Sequence, residues 1–336
     1  MEDYVAKCVE SLICEVLTDL DVIIVNDGSR DETLQIAQSF AEQHPDSISV
    51  INKENGNYGS CINAALKIAK GKYVKVLDAD DSFNTSRLPD FVTFLKNVET
   101  SVVISDYVIV NEQGETTQTI TFSDKITDKI LCFRDATEIL GHEMLQMHAV
   151  TYKLSLLKHV GYKQTEGISY TDQEWMFSPM ALVESISIYP GIIYKYLVGR
   201  AGQTIDTNVS YKAVNQTMQV MESLMRRFKA LQPSIDDERR EYLLSRLYQK
   251  IPSIYRISLL KTRDNAARKR LRFFDENLMS ENNEIYGRLD NETVGKLPFH
   301  FISQWRKSGR KDGPVFLAFV RLIISRLILP IQAKKQ

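Results

Sequence analysis

Short runs of β-branched residues alternate with longer amphipathic segments near the start of the chain, and this alternation constrains the fold most. Residues 21–26 (DVIIVN) and 73–77 (YVKVL) are typical of buried strands, and residues 47–52 indicate a weaker strand between them. Apolar residues recur at helical spacing before and between these runs. The resulting order of helices and strands predicts an α/β domain with a mostly parallel sheet flanked by helices.

Further along the chain the pattern changes twice. Residues 101–110 predict a long strand, and a turn leads from it into a second strand ending at Phe122, so the sheet should become mixed. Long helical patterns rich in Arg and Lys follow later, and Pro252 should kink or break one of them. We therefore expect a mixed α/β domain over residues 1–205 and a helical region over residues 206–336.

The composition narrows the class of protein. Hydrophobic residues make up 43% of the 336, which is ample for a core, and the formal net charge of −1 gives no reason to expect a nucleic acid partner. The cysteines Cys8, Cys14, Cys61 and Cys132 lack the spacing of metal ligands, so reduced thiols are expected. Reduced thiols, together with an opening segment that lacks the features of a secretory signal, predict a cytoplasmic protein.

Three carboxylates follow the strand at residues 73–77, where its carboxyl end should emerge from the sheet. Asp78 and Asp80 stand two residues apart, so their side chains point to the same side if the extended geometry continues. Paired carboxylates repel each other unless a cation lies between them, and Mg²⁺ or Mn²⁺ favours such oxygen ligands and often bridges to phosphate. The alternative is an acidic turn, because Asp is common in turns and helix caps.

Two more polar loops should lie at the same edge of the sheet. The turn at residues 27–29 (DGS) follows the first strand, and the loop at residues 55–60 (NGNYGS) precedes the next helix. Glycines allow a ligand to approach the backbone closely, and a helix N-terminus favours an anion. Because ligands of open α/β sheets bind outside the carboxyl ends of the strands, the loops together predict one binding site.

These segments resemble a known family. Residues 25–31 (VNDGSRD), 55–63 (NGNYGSCIN) and 71–81 (GKYVKVLDADD) resemble, in order and spacing, the family 2 glycosyltransferases of the GT-A fold. The resemblance continues at residues 170–175 (YTDQEW), ends near residues 194–204 (YKYLVGRAGQT), and so covers the predicted α/β domain. It implies a transferase that takes a sugar from a nucleoside-diphosphate sugar, a UDP-sugar above all, with Mg²⁺ or Mn²⁺ as cofactor.

The resemblance also implies roles for the matching acidic residues. Asp27 would contact the base of the nucleotide. Asp78 would lie near the ribose and the metal, and Asp80 would bind the metal through the diphosphate. Asp172 would take the proton from an acceptor hydroxyl as that hydroxyl attacks the anomeric carbon, which implies a single displacement with inversion. Without the family context, Asp172 would be interpreted as a helix N-cap.

Other candidates are less specific. Further residues expected to bind the nucleotide sugar are Gly56, Asn57, Arg200 and Gln203. Arg200 and Gln203 stand on a predicted loop that could close over the diphosphate, although an Arg on a surface loop is common. Trp175 could stack on the acceptor sugar or belong to the core. His148 could line the acceptor side, although a lone His on a strand is more often structural.

The chain departs from the family at its start. Asn26 stands where the family often has an acid, which is a mild change because Asn also forms hydrogen bonds. Family members usually begin with a strand that ends in a Pro-x-Tyr-Asn-like segment, and this sequence starts at the following helix. We therefore expect Met1 to be an internal methionine of a longer protein.

An apolar segment lies near the end of the sequence. Residues 314–330 are too short, and too interrupted by Arg321 and Arg326, for a comfortable membrane span. The aromatic and basic residues upstream suit an interfacial helix on anionic lipid. A helix that packs on the domain or on a partner subunit is the alternative.

The leading hypothesis is a metal-dependent inverting glycosyltransferase that builds a bacterial-type surface polysaccharide or glycolipid. Its acceptor would be a glycan or a lipid-linked glycan, met in the cytoplasm or at the inner face of the plasma membrane. A non-catalytic nucleotide-sugar-binding or scaffold protein of a glycan assembly complex is the alternative. Two other classes are disfavoured. A nucleotidyltransferase would need a Gly-rich basic loop near the N-terminus, and a Rossmann oxidoreductase would need Gly-x-Gly-x-x-Gly after a strand. The sequence contains neither motif.

Overall fold

A computed structural model describes residues 1–125, 130–140, 145–200, 207–261, 265–294 and 297–311. The chain divides into two compact units. The first unit contains Met1–Gln203 and Ile235–Tyr242, and the second contains the described parts of Thr204–Ser234 and Leu243–Gln336. The candidate site residues of the sequence all fall within the first unit.

The first unit combines short strands with flanking helices. Its strands are β1 Val22–Asp27, β2 Ile48–Lys53, β3 Tyr73–Val74, β4 Ser82–Phe83, β5 Val102–Val110, β6 Thr116–Ile120, β7 Leu131–Cys132, β8 Val150–Lys153 and β9 Ser185–Leu197. Its helices are α1 Glu2–Glu10, α2 Thr33–Gln43, α3 Asn57–Ile68, α4 Leu88–Asn97, α5 Phe133–Leu140, α6 Leu154–His159 and α7 Asp172–Trp175. The alternation predicted for the start of the chain is therefore present, from α1 to β3.

The larger sheet has the strand order β3-β8-β5-β9-β4, with β6 paired to β5 and β7 paired to β9. β1 and β2 form a separate parallel pair. The mixed α/β class is confirmed, but the larger sheet is less parallel than expected. Within it β5 and β9 pair in parallel, whereas the other described pairings are antiparallel. The strands after β4 lack the regular alternation with crossover helices that makes neighbouring strands parallel.

The strand predicted at residues 73–77 is shorter in the structure, where β3 ends at Val74. Its antiparallel partner explains the difference. Val74 pairs with Tyr152, and β8 begins only at Val150, because residues 147–149 form a 3₁₀ turn. The hydrogen-bonded pairing of β3 with β8 therefore ends soon after Val74. The following residues lead into the acidic turn without pairing to another strand.

A bulge occurs in β9 at Pro190 and Gly191, a residue pair that usually indicates a turn between two strands. The pairing with β5 passes from Ser105 opposite Tyr189 to Asp106 opposite Ile192, so both turn-forming residues are extra residues on one continuous strand. Proline cannot donate a ladder hydrogen bond, and a bulge removes the need for one. The bulge allows β9 to continue past the sheet centre to the acidic turn.

The second unit is mainly helical, as predicted for the end of the chain. Its elements are α8 Thr207–Leu231, the greater part of α9 Asp237–Tyr255, α10 Asn265–Glu281, α11 Asn283–Arg288, β10 Thr293–Val294, β11 Leu297–His300 and α12 Phe301–Lys307. Pro252 lies inside α9, and a π-helical turn at Arg256–Lys261 follows it. The helix therefore continues past the proline, and the π-helical turn begins four residues after it.

The core of the second unit contains a buried carboxylate. Asp275 is 0% exposed, and it accepts hydrogen bonds from Tyr255, Arg306 and Arg310 at 2.6 to 2.9 Å. A buried charge needs such partners, so the cluster is structural. Within the described residues, no helix is both long and apolar enough to cross a bilayer. The apolar segment at residues 314–330 lies outside the described residues.

Candidate active site

An acidic turn follows β3, and Asp81 fixes its shape. Asp81 is 3% exposed, its N–H donates to the carbonyl of Asp78 (2.9 Å), and its carboxylate accepts from the hydroxyl of Tyr194 (2.5 Å) and the N–H of Leu197 (2.7 Å). Tyr194 also accepts from the N–H of Asp78 (3.2 Å). Both carboxylate oxygens of Asp81 accept hydrogen bonds from β9, so Asp81 anchors the turn. Asp78 and Asp80 are therefore the carboxylates of the turn that are candidates for binding a ligand.

Three carboxylates meet beside this turn. Burial and the nearby carboxylates of Asp80 and Asp172 raise the pKa of Asp78 to about 7, even though a hydrogen bond from Tyr58 and the charge of Arg200 act to lower it. The fold therefore brings Asp172 to the same place as the acidic turn, although almost a hundred residues separate them in sequence. The accumulated negative charge is only partly compensated by Arg200.

Arg200 pairs with one of these carboxylates. Its Nε lies 2.7 Å from Oδ2 of Asp80, and the two side chains are 19% and 14% exposed. The guanidinium also lies over the ring of Tyr4, 5.5 Å from the centroid. Gln203, predicted to act beside Arg200, lies outside the described residues. The Arg200 guanidinium therefore places positive charge beside the carboxylate of Asp80, where the sequence predicts a metal ion.

The acidic turn fits a divalent cation that shares its ligands with a diphosphate. In the described part of the chain, no three or more His, Cys, Asp or Glu side chains form a metal cage of their own. Mg²⁺, however, is usually held by one or two carboxylates together with substrate phosphates. Asp78 and Asp80 supply two hard oxygen donors. The pKa of Asp78 is raised mainly by burial and then by the neighbouring carboxylate of Asp80, and a cation would offset the repulsion between the two.

Asp27 ends β1 and lies in a small polar pocket. Its Oδ1 accepts from Nζ of Lys53 (2.5 Å), the N–H of Gly56 (2.9 Å) and the hydroxyl of Ser60 (3.3 Å). Burial alone would raise the pKa of Asp27, but the Lys53 ammonium and the Gly56 N–H outweigh it and lower the pKa. All three bonds converge on Oδ1, so Oδ2 faces no donor among the described residues.

The glycines of the loop before α3 are required by close packing. A Cβ on Gly56 would lie 2.7 Å from the hydroxyl of Ser60, and a Cβ on Gly59 would lie 2.0 Å from the carbonyl oxygen of Thr165. The N–H of Gly167 donates to the carbonyl of Gly56 (2.8 Å). Asn57, at the first position of α3, has a positive φ of 63°. The segment at residues 164–171 therefore lies directly on the first turns of α3.

Buried polar contacts hold the same segment in front of Asp172. The amide of Gln164 donates to the carbonyl and the hydroxyl of Thr171 (2.8 and 2.9 Å), and its N–H donates to Asn63 on α3 (2.8 Å). Glu174, at 0% exposed, accepts from the N–H and the hydroxyl of Thr165 (2.7 and 2.6 Å). These bonds fix the direction in which α7 begins.

Asp172 is not a helix cap. Thr171 occupies the N-cap position of α7 and makes no side-chain capping bond there. The carboxylate of Asp172 accepts from the side-chain amide of Gln173 (2.8 Å). The N-cap interpretation therefore fails, and the half-buried carboxylate remains near Asp78.

The two aromatic candidates for the acceptor side need correction. Trp175 is 1% exposed and packs edge-on against Tyr152 and Tyr162, so it belongs to the core and cannot stack on a sugar as it stands. His148 stacks on Tyr196 (4.2 Å between ring centroids, 24° between planes), and its buried Nδ1 has no hydrogen-bond partner among the described residues. His148 is therefore structural here, and it lies in a 3₁₀ turn rather than on a strand.

Several residues of the site were not predicted. Asp81, Tyr58, Tyr194 and Glu174 contact or position the acidic side chains, and the sequence interpretation assigned no role to any of them. A signal existed for the pair Tyr194 and Tyr196, because residues two apart on a strand share a face. No comparable signal pointed to Glu174, whose partner Thr165 lies on an irregular segment.

The fold and the candidate site define an α/β domain with carboxylates clustered beside one turn, and comparisons with known proteins show which family part of the chain matches. The family model described as Glycosyl transferase family 2 matches residues 2–153. These residues form a family 2 glycosyltransferase domain, which confirms the resemblance found in the sequence. S. aureus TarS 1-349, solved in complex with UDP-GlcNAc, matches with a TM-score of 0.63 at 18% identity, over 92% of this chain and 89% of that chain. At that identity the likeness shows the fold alone.

Curated proteins with glycosyltransferase or polysaccharide synthase names are similar to parts of the chain. The chain is 27% identical over 223 residues to the Escherichia coli K12 protein named uncharacterized glycosyltransferase YibD, covering 61% of this chain and 62% of that protein. It is 35% identical over 117 residues to hyaluronan synthase of Pasteurella multocida, covering 33% of this chain and 12% of that protein. The chain thus spans less than two thirds of the length of the first curated relatives that it matches.

Proposed function

We propose that this protein is an inverting glycosyltransferase that moves a sugar from a nucleoside-diphosphate sugar to an acceptor hydroxyl. The observation that carries the proposal is the meeting of Asp78, Asp80 and Asp172 beside Arg200. A scaffold has no need of three carboxylates crowded against one another, because their repulsion costs stability. In a sugar transferase the same arrangement provides metal ligands and a base in one place.

Each residue then has a distinct task. Asp172 accepts the proton of the acceptor hydroxyl while that oxygen attacks the anomeric carbon from the face opposite the leaving group. Asp78 and Asp80 would hold Mg²⁺ or Mn²⁺ beside the diphosphate. The metal, when bound, offsets the charge that develops on the leaving nucleoside diphosphate. Arg200 exchanges its contact with Asp80 for the diphosphate, and Gln203 is proposed to assist it.

The nucleotide is proposed to lie along the loops before α3 and after β1. Oδ2 of Asp27 is oriented for a donor on the base, since Oδ1 is held by Lys53 and Gly56. The backbone at Gly56 and Asn57 approaches the nucleotide sugar. A UDP-sugar is the first donor to test, because TarS binds UDP-GlcNAc and hyaluronan synthase is a relative.

The acceptor is proposed to be a glycan or a lipid-linked glycan. Contact with the inner face of the plasma membrane through residues 314–330 is part of the same proposal. The proposed transferase domain comprises residues 1–205, followed by the helical region of residues 206–336.

The proposal is tested by measuring release of nucleoside diphosphate from a panel of UDP-sugars, with and without EDTA. We expect turnover that EDTA abolishes, a loss in Asp80→Asn, and a fall of about 10²-fold or more in Asp172→Asn. Asp90→Asn is the matched control, because Asp90 lies on α4 with a 69% exposed side chain, and it should behave as wild type. Turnover that ignores EDTA would contradict the metal role. Binding of UDP-sugars without any turnover would favour the scaffold alternative.

A further inference from the structure

Tyr196 lies at the end of β9 between two residues that hold the acidic turn. Tyr194 donates its hydroxyl to Asp81, and the N–H of Leu197 donates to the same carboxylate. Tyr196 is two residues after Tyr194, so both side chains are on the same face of β9. Tyr194 is 0% exposed, whereas Tyr196 is partly exposed. The strand therefore presents a second tyrosine beside the carboxylates, and this one reaches the surface.

The ring of Tyr196 is supported from behind. His148 stacks on it at 4.2 Å with 24° between the planes, and the imidazole also contacts the rings of Tyr107 and Tyr194 at 5.4 and 4.8 Å. Burial, aided by the positive charge of Lys75, lowers the pKa of His148 to about 3, so the imidazole stays neutral. A neutral, packed support fixes the orientation of the Tyr196 ring without adding charge to the site.

The hydroxyl of Tyr196 is available to a ligand. It forms no hydrogen bond with any of the described residues, and it is not one of the buried polar atoms that lack a partner. Burial raises the pKa of Tyr196 to about 12, with further contributions from Asp81, Asp78, Asp80 and Asp172. The phenol therefore stays protonated, and the carboxylates around it disfavour an anion. A neutral polyol, which both donates and accepts hydrogen bonds, fits the position.

We propose that Tyr196 contacts the substrate, with its hydroxyl bonded to a hydroxyl of a sugar ring and its ring forming one wall of the sugar subsite. The inference rests on the proposed function, because it assumes that the substrate is a sugar. That sugar is either the donor sugar or the acceptor sugar, since both must lie between the acidic turn and Asp172. The two sources share the same chemistry, and separate measurements distinguish them.

The test compares Tyr196→Phe with Tyr107→Phe. Both variants remove one hydroxyl from the same aromatic cluster, but Tyr107 is buried at 5% exposed, whereas Tyr196 is partly exposed and therefore accessible to a ligand. Binding of UDP, UDP-glucose and UDP-N-acetylglucosamine is measured by calorimetry. Donor hydrolysis and transfer to a panel of p-nitrophenyl glycosides are measured with the best donor. Thermal unfolding checks that both variants fold.

In Tyr196→Phe, loss of one neutral hydrogen bond should weaken the affected step about two- to tenfold. A donor contact weakens UDP-sugar binding and hydrolysis while UDP binding stays unchanged. An acceptor contact leaves both unchanged and lowers kcat/KM for transfer. Tyr107→Phe should match wild type throughout. The proposal is overturned if the two variants behave alike, or if Tyr196→Phe weakens UDP itself to the same extent.

Failure of the proposed function has a different signature. In that case the wild-type chain itself would neither hydrolyse UDP-sugars nor transfer sugar from them, and the inference would fall with the function. Normal wild-type binding and transfer, with Tyr196→Phe unaffected, would remove the role of Tyr196 alone.

Discussion

At the scale of single residues, burial near the site lowers the pKa values of two basic groups, His148 and Lys75. Burial lowers the pKa of His148 to about 3 and that of Lys75 to about 7, because neither has a carboxylate to stabilise its charge. The Lys75 ammonium instead donates to the backbone carbonyl of His148 (2.7 Å). Buried basic groups of this kind make stability depend on pH.

We predict that His148 lowers the stability of the protein in acid. The folded pKa of about 3 is below the ordinary value of 6.5, so the unfolded chain gains a proton between these values and the folded chain does not. The free energy of unfolding should therefore fall as the pH drops below about 6.5, by up to about 1.4 kcal/mol per pH unit. The effect of Lys75 has the same sign but occurs above about pH 7.

Urea denaturation at pH 6.5 and pH 5 measures this effect. Between these two values the wild type should lose up to about 2 kcal/mol more than His148→Gln, which has no imidazole to protonate. His159→Gln, at an exposed position in α6, controls for the general effect of removing a histidine. Equal losses in the wild type and in His148→Gln would refute the assignment.

Some site residues could be predicted from the sequence and others could not. Asp27, Asp78, Asp80 and Asp172 each belong to a short segment whose residue order is itself the signal. Trp175 had no such signal, because its burial is decided by Tyr152 and other residues far away in sequence. Local patterns thus indicate chemistry, whereas exposure depends on long-range packing.

At the scale of elements, the position of Asp172 depends on how the segment at residues 164–171 packs on α3. Gly59 is the contact point, because any side chain there would meet the carbonyl of Thr165. Asn63, one turn further along α3, donates to the carbonyl of Gln164 (2.8 Å) and to Glu166 (2.7 Å). The loop before α3 and the proposed base Asp172 are therefore both positioned by contacts with the same helix, α3.

We predict that Gly59→Ala impairs turnover more than folding. The added Cβ would lie 2.0 Å from the oxygen of Thr165, so backbone must shift and Asp172 must move with it. A displacement near 1 Å at a reacting group can cost about 10²-fold in rate, while overpacking typically costs about 1–3 kcal/mol of stability. Steady-state kinetics and thermal unfolding measure the two effects.

Gly287→Ala provides the matched control for this experiment. Gly287 lies in α11 with no neighbouring atom within 4 Å of an added Cβ, so the variant should keep wild-type kcat. A Gly59→Ala protein with wild-type kcat would show that the segment adjusts without moving the base.

A helix or strand could be predicted from the sequence where residues within that same segment determine it. The helical pattern of residues 172–182 is not realised as one helix: α7, Asp172–Trp175, is followed by a 3₁₀ turn at Pro179–Leu182. Pro179 contributes to the interruption, since it has no N–H to donate to the carbonyl of Trp175 four residues earlier, and that carbonyl accepts from the hydroxyl of Tyr152 instead (2.9 Å). The pairing of β5 with β9 involves residues about eighty positions apart, and no local pattern specifies such a partner.

At the scale of the whole molecule, the proposed nucleotide site draws on separate segments of the first unit. β1 contributes Asp27, the loop before α3 contributes Gly56, the turn after β3 contributes Asp78 and Asp80, and the end of β9 leads to Arg200. A ligand that binds only the folded state stabilises it by mass action, by about 2.7 kcal/mol at a concentration one hundred times its Kd. Binding should therefore suppress opening in all these segments together.

We predict that UDP with Mn²⁺ protects the amides of residues 22–28, 52–60 and 73–81 from hydrogen exchange. The protection arises because opening of any one segment would first require the nucleotide to dissociate. Hydrogen exchange followed by mass spectrometry measures each segment, and α10 of the second unit provides the internal control. Asp27→Asn should reduce the protection, because Asp27 joins β1 to the loop before α3 through Gly56. Protection of α10 equal to that of the site segments, or none anywhere at saturating nucleotide, would contradict the proposed binding site.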